Sequence, residues 1–426
     1  MSKQSFLANV RDQYEQYPYP LRDPEQESQR LIEIEIDNIE LINFYCFAGK
    51  LKLQDACLLV AGGGTGDSTI FLAEQLRHST ASVIYVDISL ASMEIAKQRA
   101  AKRNLTNIRW IHASLLALDE HDIPPIDYIS CTGVLHHLAE PKKGLQALKS
   151  LLKPNGAMGI MLYATYGRTG VYQMQRLLSL ANQQETKLAD KISNTRTLLA
   201  KLPETNWFNH NQELINDHKN QADNGLVDLL LHEQDISYNI EQVHDLLSQC
   251  KLQMIEFSNV KMRQAYQPSM YVEDPVLLQK ISALNLQQQQ HIAELLAGAF
   301  KKHEFYVSQQ GNTQADFFTL SNIPYFFPSL QYQNLGKTIA DAMQANPNSV
   351  LPLSHKSGFA FDIKADHLNY LFFKYIDGIN SLADIFQKLR QDANKQQFSD
   401  DELAHYFAPI YEQFRRLDWL LLKAPA

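Results

Sequence analysis

The run Leu58-Leu-Val-Ala-Gly62-Gly-Gly64-Thr-Gly66-Asp67 puts glycines where a short apolar segment stops and a helical one starts. Glycine there lets the chain turn tightly and lets a ligand approach the backbone N–H groups at a helix start. A dinucleotide-binding turn spaces its glycines G-x-G-x-x-G. In this chain the third position of that spacing is Asp67, and the glycines fall at 62, 64 and 66. A free carboxylate at a helix start repels a pyrophosphate, so the expected ligand carries positive charge instead. Asp87 closes the next apolar run, Ser82-Val-Ile-Tyr-Val-Asp87. A carboxylate only accepts hydrogen bonds, which suits it to both hydroxyls of a ribose. The plain alternative is a glycine turn and a solvated Asp, but the order strand, loop, helix, strand, Asp favours a binding site.

His136 and His137 follow a fourth apolar run, at the edge where open α/β sheets bind ligands. One of them could take a proton from a nucleophile or bond a substrate. The alternative is that neighbouring rings point apart, one structural and one exposed, and two adjacent positions do not converge on a metal ion. Tyr163, Tyr166 and Arg168 lie just beyond the fifth run and could line an acceptor pocket, or simply pack. Tyr14, Tyr17 and Tyr19 with Pro18 and Pro20 make a stiff aromatic segment ahead of the glycine loop. Such a segment can close over a ligand as a lid or lie along the sheet as an arm.

The elements that must hold these groups are legible in outline. Short apolar runs at Cys57–Ala61, 82–87, 108–112, 126–131 and 157–162 alternate with helical stretches at 69–76, 89–102 and 144–152, and Pro154-Asn155-Gly156 reads as a turn. This is the pattern of a mostly parallel, doubly wound Rossmann-like α/β sheet with helices on both faces. The runs lack strict alternation, as strands covered on both sides do. Ahead of them an amphipathic helix is expected from Leu31 to Lys50. A polar helical insertion follows the fifth run, then a helix at 240–249, a strand at 252–257 and two helices between Pro275 and Ser308. The expected organisation is a lid and helical segment at 1–50, a ligand-binding core at 51–165, an insertion and the end of that region at 166–310, and a small mainly helical C-terminal domain at 325–426. Ile323 to Pro328 reads as a proline-bearing linker.

The chain has 426 residues, 45% of them hydrophobic and 20% charged, enough for a large core. With 39 basic and 47 acidic residues its net charge is −8, which gives no global pull toward nucleic acid or an anionic membrane. Four scattered cysteines argue against a disulfide scaffold or a zinc site. No apolar run is long enough for a membrane span, so a cytoplasmic protein is expected.

Three stretches, VAGGGTGDST, YVDIS and CTGVLHHL, together resemble the successive motifs of class I S-adenosylmethionine-dependent methyltransferases. Gln13 to Pro20 with Arg22-Asp23-Pro24 is similar to the N-terminal segment of a bacterial subgroup with a Y-P-Y-P signature, and Met161–Tyr172, Leu231–Asp235 and Glu294–Gly298 look like further blocks of it. At the Y-P-Y-P and G-V-L-H-H blocks the chain also resembles the rickettsial protein-lysine methyltransferases that act on outer-membrane proteins. The resemblance implies S-adenosyl-L-methionine as cofactor. It places Gly62, Gly64 and Gly66 beside its methionine and ribose, Asp87 on the ribose hydroxyls and Ile88 on the adenine. Where many members have an Asp after the third strand, this chain reads Ile111-His-Ala-Ser-Leu115, so Ser114 and Leu115 are expected at the adenine. Tyr14 would reach the methionine carboxylate, and His136 and His137 are the candidate catalytic groups.

Methyl transfer needs alignment more than a fixed base, so the lack of a base motif does not oppose this reading. The expected acceptor is a protein side chain, lysine among them, or a small molecule, with no nucleic acid or membrane partner. The competing readings are a scaffold that binds the cofactor without transferring it, and a nicotinamide oxidoreductase, which Asp67 opposes. The C-terminal unit, with Asp377-Gly378 ahead of Leu382 to Leu389, faintly resembles winged-helix-like peptide-binding modules. A helical packing or dimerisation module is the plainer expectation, which keeps a homodimer among the expected assemblies.

Overall fold

The computed structural model describes residues 3–210, 215–232, 234–311, 313–328, 334–355, 357–393 and 398–425. They form two compact units, the first of Met1–Asn38, Leu53–Ser258 and Gln264–Gly311, the second of Ile39–Lys52, Asn259–Arg263 and Asn312–Ala426. The helices used below are α1 (Lys3–Gln16), α2 (Ile39–Phe47), α3 (Asp67–Gln75), α4 (Leu90–Lys102), α5 (Pro141–Leu151), α6 (Thr169–Ala181) and α7 (Leu188–Leu199). No described helix is long and apolar enough to cross a membrane.

The first unit is built on seven strands, β1 (Cys57–Ala61), β2 (Ser82–Asp87), β3 (Ile108–His112), β4 (Ile126–Thr132), β5 (Leu152–Tyr163), β6 (Gln253–Phe257) and β7 (Lys302–Ser308), in the order β3-β2-β1-β4-β5-β7-β6. Neighbours from β3 to β5 are parallel, and β7 runs antiparallel between β5 and β6. Leu58, Leu59, Val83, Ile84, Tyr128 and Ile129 are buried on these strands, as residues covered by helices on both faces must be. The doubly wound, mostly parallel sheet is therefore as the sequence indicates.

Three local expectations change. The stretch expected to be helical up to Ser308 ends earlier, in helices at Pro275–Ser282 and Leu286–Ala297, and then gives β7. Gly298 at φ +59° closes the second helix, its N–H bonding Glu294 O at 2.9 Å, and the β-forming Phe305-Tyr306-Val307 follow. The turn at 154–156 is an excursion inside β5: Leu152 pairs with Ile126 and Ala157 with Tyr128, so residues 153–156 pass opposite Asp127 alone. The helix expected from Leu31 to Lys50 is only Ile39–Phe47. Before it, Ile32-Glu-Ile-Glu-Ile-Asp37 alternates with period two, which cannot keep one face of a helix apolar. That stretch ends instead in a short 3₁₀ turn, and Ile36 O accepts from the hydroxyls of Tyr128 and Tyr306 at 2.9 and 3.0 Å.

The insertion has a core of its own, with Val171, Met174 and Leu178 of α6 packed on Phe208, Ile215, Leu229 and Leu230. A second cluster joins Ile192 of α7 to Leu226 and Val227. Beyond it, the segment 234–238 runs past the carboxyl ends of β4 and β5. Ile236 N donates to His136 O, and Tyr238 N to Tyr163 O, at 3.0 and 2.9 Å.

The second unit has helices at Leu335–Ala345, His367–Tyr375, Leu382–Asp392 and Asp400–Arg415, of which the sequence pointed to the stretch at 382–389. They are joined by two antiparallel pairs, β8 (Ile323–Phe326) with β11 (Leu420–Lys423) and β9 (Val350–Ser354) with β10 (Ala360–Lys364). The expected linker is thus strand β8, where Pro324 is tolerated because a two-stranded pair has only edge strands. Helix α2 belongs to this unit and is buried on nearly every side, which is why its sequence shows no polar stripe. Tyr45 donates to Asp418, which Arg263 also contacts.

Candidate functional site

The loops after β1, β2, β3, β4 and β5 surround a cavity of about 480 Å³ at the carboxyl ends of the strands. Its two walls are built differently. One is backbone. Gly62 and Gly63 donate to Val86 O at 2.8 and 3.0 Å, which folds the glycine loop over the end of β2. Gly64 N donates to Asp87 Oδ2 at 2.7 Å, Ser89 N to Oδ1 at 2.8 Å, and the Tyr85 hydroxyl to Gly64 O at 2.8 Å. Gly62 and Gly64 sit at φ +67° and +50°, and a Cβ on either would stand 2.4 Å from Val134 Cγ2 or 2.7 Å from Tyr19 O. Burial raises the pKa of Asp87, and the N–H groups of Ser89, Gly64 and Ile88 work against that rise. An ionised carboxylate offers about four acceptor sites, so capacity remains for ribose hydroxyls.

Gly62, Gly64, Asp87, Ile88, Ser114 and Leu115 all line the cavity, so the structure gathers most of the expected cofactor residues. Gly63 also lines it, although the spacing singled out only its neighbours. Gly66 does not. At φ +105° it starts α3, and a Cβ there would meet Ala96 at 2.9 Å. The Ser114 hydroxyl caps the turn that follows, accepting from Leu116 N at 3.2 Å.

Asp67 requires a correction. It is not a free carboxylate at the helix start. Arg22 reaches it at 2.6 Å and Arg99 at 2.7 Å, while Arg99 also binds Glu27 at 2.7 Å. Burial alone would raise its pKa, but the hydrogen bonds and charge of Arg22, then Arg99, outweigh that and lower it. With both guanidiniums in place the local charge no longer repels a phosphate, so Asp67 does not choose between cofactors. Its structural effect is to hold residues 17–22, which follow α1, over the glycine loop. Thr65 Oγ1 donating to Pro20 O at 2.7 Å adds to that hold. Upstream, the Glu15 carboxylate accepts from Leu90 and Ala91 N–H, tying α1 to the positive end of α4.

The opposite wall is made of side chains from distant parts of the chain. Tyr14 lines the cavity, but its hydroxyl proton goes to Asp228 Oδ1 at 3.0 Å, and the same oxygen lies 3.2 Å from His232 Nε2. His232 Nδ1 accepts from Gln234 N at 3.1 Å, which leaves the ring proton on Nε2, donated to Tyr14. Burial depresses the pKa of His232, with the neighbouring His137 adding to it, so the ring stays neutral. Burial also raises Asp228 to about 6, a rise limited by His137 and by the Tyr14 hydrogen bond.

The two candidate histidines separate. His137 lines the cavity, stacks on His232 at 3.8 Å and donates from Nδ1 to Gln234 O at 2.9 Å. His136 is fully buried behind it, stacked on Tyr163 at 3.9 Å, with neither ring nitrogen hydrogen-bonded among the described residues. Tyr163 and Arg168 line the cavity, the guanidinium lying 3.6 Å over the Tyr163 ring and pairing with Asp235 at 3.1 Å. Tyr166 turns away and its ring stacks on His291. Asp228, His232 and Gln234 have no periodic signature in the sequence. The Leu231–Asp235 block hinted at His232 and Gln234, with its Glu233 outside the described residues, and nothing in the sequence pointed to Asp228.

The family model of the Methyltransferase domain matches residues 59–158, the span from β1 into β5. An uncharacterized protein of Synechococcus sp. is 30% identical over 276 residues, 64% of each chain. The tRNA 5-carboxymethoxyuridine methyltransferase of Escherichia coli is 34% identical over 120 residues, 28% of this chain and 43% of that protein. This chain thus spans less than two thirds of either relative. Among solved structures, PKMT2 from Rickettsia typhi in complex with AdoHcy shares the fold with a TM-score of 0.60 at 15% identity, over 92% of this chain and 76% of that one.

Proposed function

We propose that this protein is an S-adenosylmethionine-dependent methyltransferase. The observation that carries the reading is Asp87, a buried carboxylate at the end of β2 that lines the cavity beside the glycine loop and is held there by Gly64 and Ser89 N–H groups. The donor set suits a nucleoside: Asp87 for the ribose hydroxyls, Ile88 and Leu115 as apolar faces for adenine, and Ser114 at its polar edge. When bound, S-adenosylmethionine supplies an activated methyl group to a nucleophile aligned with it. The remaining work belongs to the chain. The segment around Tyr19 and Pro20 covers the glycine loop and limits water, and Tyr163 and His137 bound the space where an acceptor would enter. The acceptor would be a protein side chain, lysine included, or a small molecule.

Isothermal titration of the purified protein with S-adenosylhomocysteine, beside NADH as control, tests this. Saturable binding of S-adenosylhomocysteine with a dissociation constant of about 1–100 μM, and none of NADH, is expected. Binding of NADH alone would return the oxidoreductase reading, and binding of the thioether by a protein that transfers no methyl group would favour the scaffold.

A further inference from the structure

The cavity is lined by four carboxylates among the described residues: Asp67, Asp87, Asp228 and Glu304. Three already have defined partners. Asp67 is paired with Arg22 and Arg99, Asp87 is held by backbone N–H groups beside the glycine loop, and Glu304 is 2.8 Å from Lys302. Asp228 differs. It is nine-tenths buried, its Oδ1 accepts one hydrogen bond from a neutral phenol, and its Oδ2 has no hydrogen-bond partner among the described residues.

The groups around it are arranged to donate. Gln234 N–H points to His232 Nδ1, His232 Nε2–H to the Tyr14 oxygen, and the Tyr14 proton to Asp228. Every hydrogen of that chain runs toward the carboxylate, which favours its ionised form and leaves it as the terminal acceptor. Arg168, whose charge acts on Asp228, is itself paired with Asp235. A desolvated carboxylate without a cation is costly to maintain unless a ligand supplies one.

Resting on the methyltransferase reading, we infer that Asp228 is the carboxylate that receives the acceptor, through a protonated amine presented at its Oδ2. It would steady the ammonium and take one of its protons, R–NH₃⁺ and carboxylate becoming R–NH₂ and carboxylic acid, so that the nitrogen lone pair is freed. The carboxylic acid later returns that proton to solvent. Tyr14 and His232 are positioning residues, acting through Asp228.

Sinefungin is a suitable probe because it carries an ammonium where S-adenosylmethionine carries its transferable methyl group, whereas S-adenosylhomocysteine carries neither. Wild-type protein should bind sinefungin about tenfold more tightly than S-adenosylhomocysteine, one charge-assisted contact. Asp228→Asn should erase that advantage while changing S-adenosylhomocysteine binding by less than about threefold. Binding of the thioether by the variant also reports that it is folded.

Equal binding of the two ligands by wild type would overturn the inference, as would an advantage that survives in the variant. A parallel loss of both ligands would place Asp228 on the amino-acid part common to them and would overturn it too. Wild type binding neither ligand would sink the methyltransferase reading itself, a distinct result.

A variant that does not fold leaves the wild-type ratio to be followed from about pH 7.5 to about pH 5. The groups facing Asp228 from its surroundings are Tyr14, His137, Tyr163, Arg168, His232 and Asp235. S-adenosylhomocysteine reports the effects that do not depend on the additional ammonium. The ratio should fall toward one as Asp228 protonates, and a constant ratio would contradict the assignment.

Discussion

The two walls of the cavity solve the same problem with different materials. The glycine-loop wall uses contiguous residues and main-chain groups, with Asp87 fixed by N–H groups two and twenty-three positions away. The facing wall draws Tyr14 from α1 and Asp228 and His232 from the insertion, more than two hundred positions apart. A backbone wall keeps its shape through most substitutions and suits a ligand that never changes. A wall of side chains on an inserted element can be altered singly, and suits the part of the ligand that differs between relatives.

The strongest way to break this contrast is at Asp87. Asp87→Ala removes an acceptor of charge-assisted hydrogen bonds and should weaken S-adenosylhomocysteine binding by about 100-fold, measured by titration calorimetry. A loss below about threefold would mean that the nucleoside does not sit there.

Asp67→Ala acts on what holds the glycine loop, and its expected effect is on stability. It removes one of the two carboxylates on Arg99, which is 1% exposed and keeps Glu27, and should cost about 2 kcal/mol in urea unfolding. Arg22→Ala should cost about 1 kcal/mol or less, because Arg22 is partly exposed and Asp67 keeps Arg99. Equal costs would show that the two guanidiniums do not divide the work as the geometry indicates.

Asp67 and Asp228 also differ in pH response. Asp67 has a lowered folded pKa, so its contribution is present above the ordinary carboxylate range and is lost only as pH falls through that depressed value. Asp228 is raised to about 6, so its contribution is full below the unfolded value and is lost as pH rises toward and through 6. Asp37, buried against Tyr128 and Ser130 and also raised to about 6, adds to that loss. Unfolding free energies between about pH 4 and pH 7 should fall less steeply in Asp228→Asn, by about 1–2 kcal/mol across the range. An identical slope in wild type and variant would place the titration elsewhere.

The smallest effect is expected at Ser114→Ala. It removes a turn cap and a polar edge, and should cost less than about 1 kcal/mol in stability. S-adenosylhomocysteine affinity should drop by less than about threefold in calorimetry. A loss comparable to that of Asp87→Ala would make Ser114 a main determinant of adenine recognition.

These differences explain what the sequence could reveal. The glycine loop, Asp87 and the apolar runs are contiguous, so spacing alone shows strand, turn, helix, strand and acid in order. Asp228 looks like any acid of a polar helical insertion until the fold brings Tyr14 to it. Asp67 was legible as a residue but not as a charge, because its partners Arg22 and Arg99 arrive from either side in sequence. Helix α2 hid its extent because it is apolar on nearly all sides, and the alternating stretch before it was absorbed into one long helix. Strand β7 followed a helix ended by a glycine, and its short run of β-forming residues gave little warning.

The most direct measurement is a crystal structure of the protein with S-adenosylhomocysteine. The ribose hydroxyls are expected on the Asp87 carboxylate with adenine between Ile88 and Leu115 and the sulfur facing the side that holds Tyr14 and Asp228. A nucleoside bound away from Asp87, or a cavity left without ligand at saturating concentration, would contradict the account.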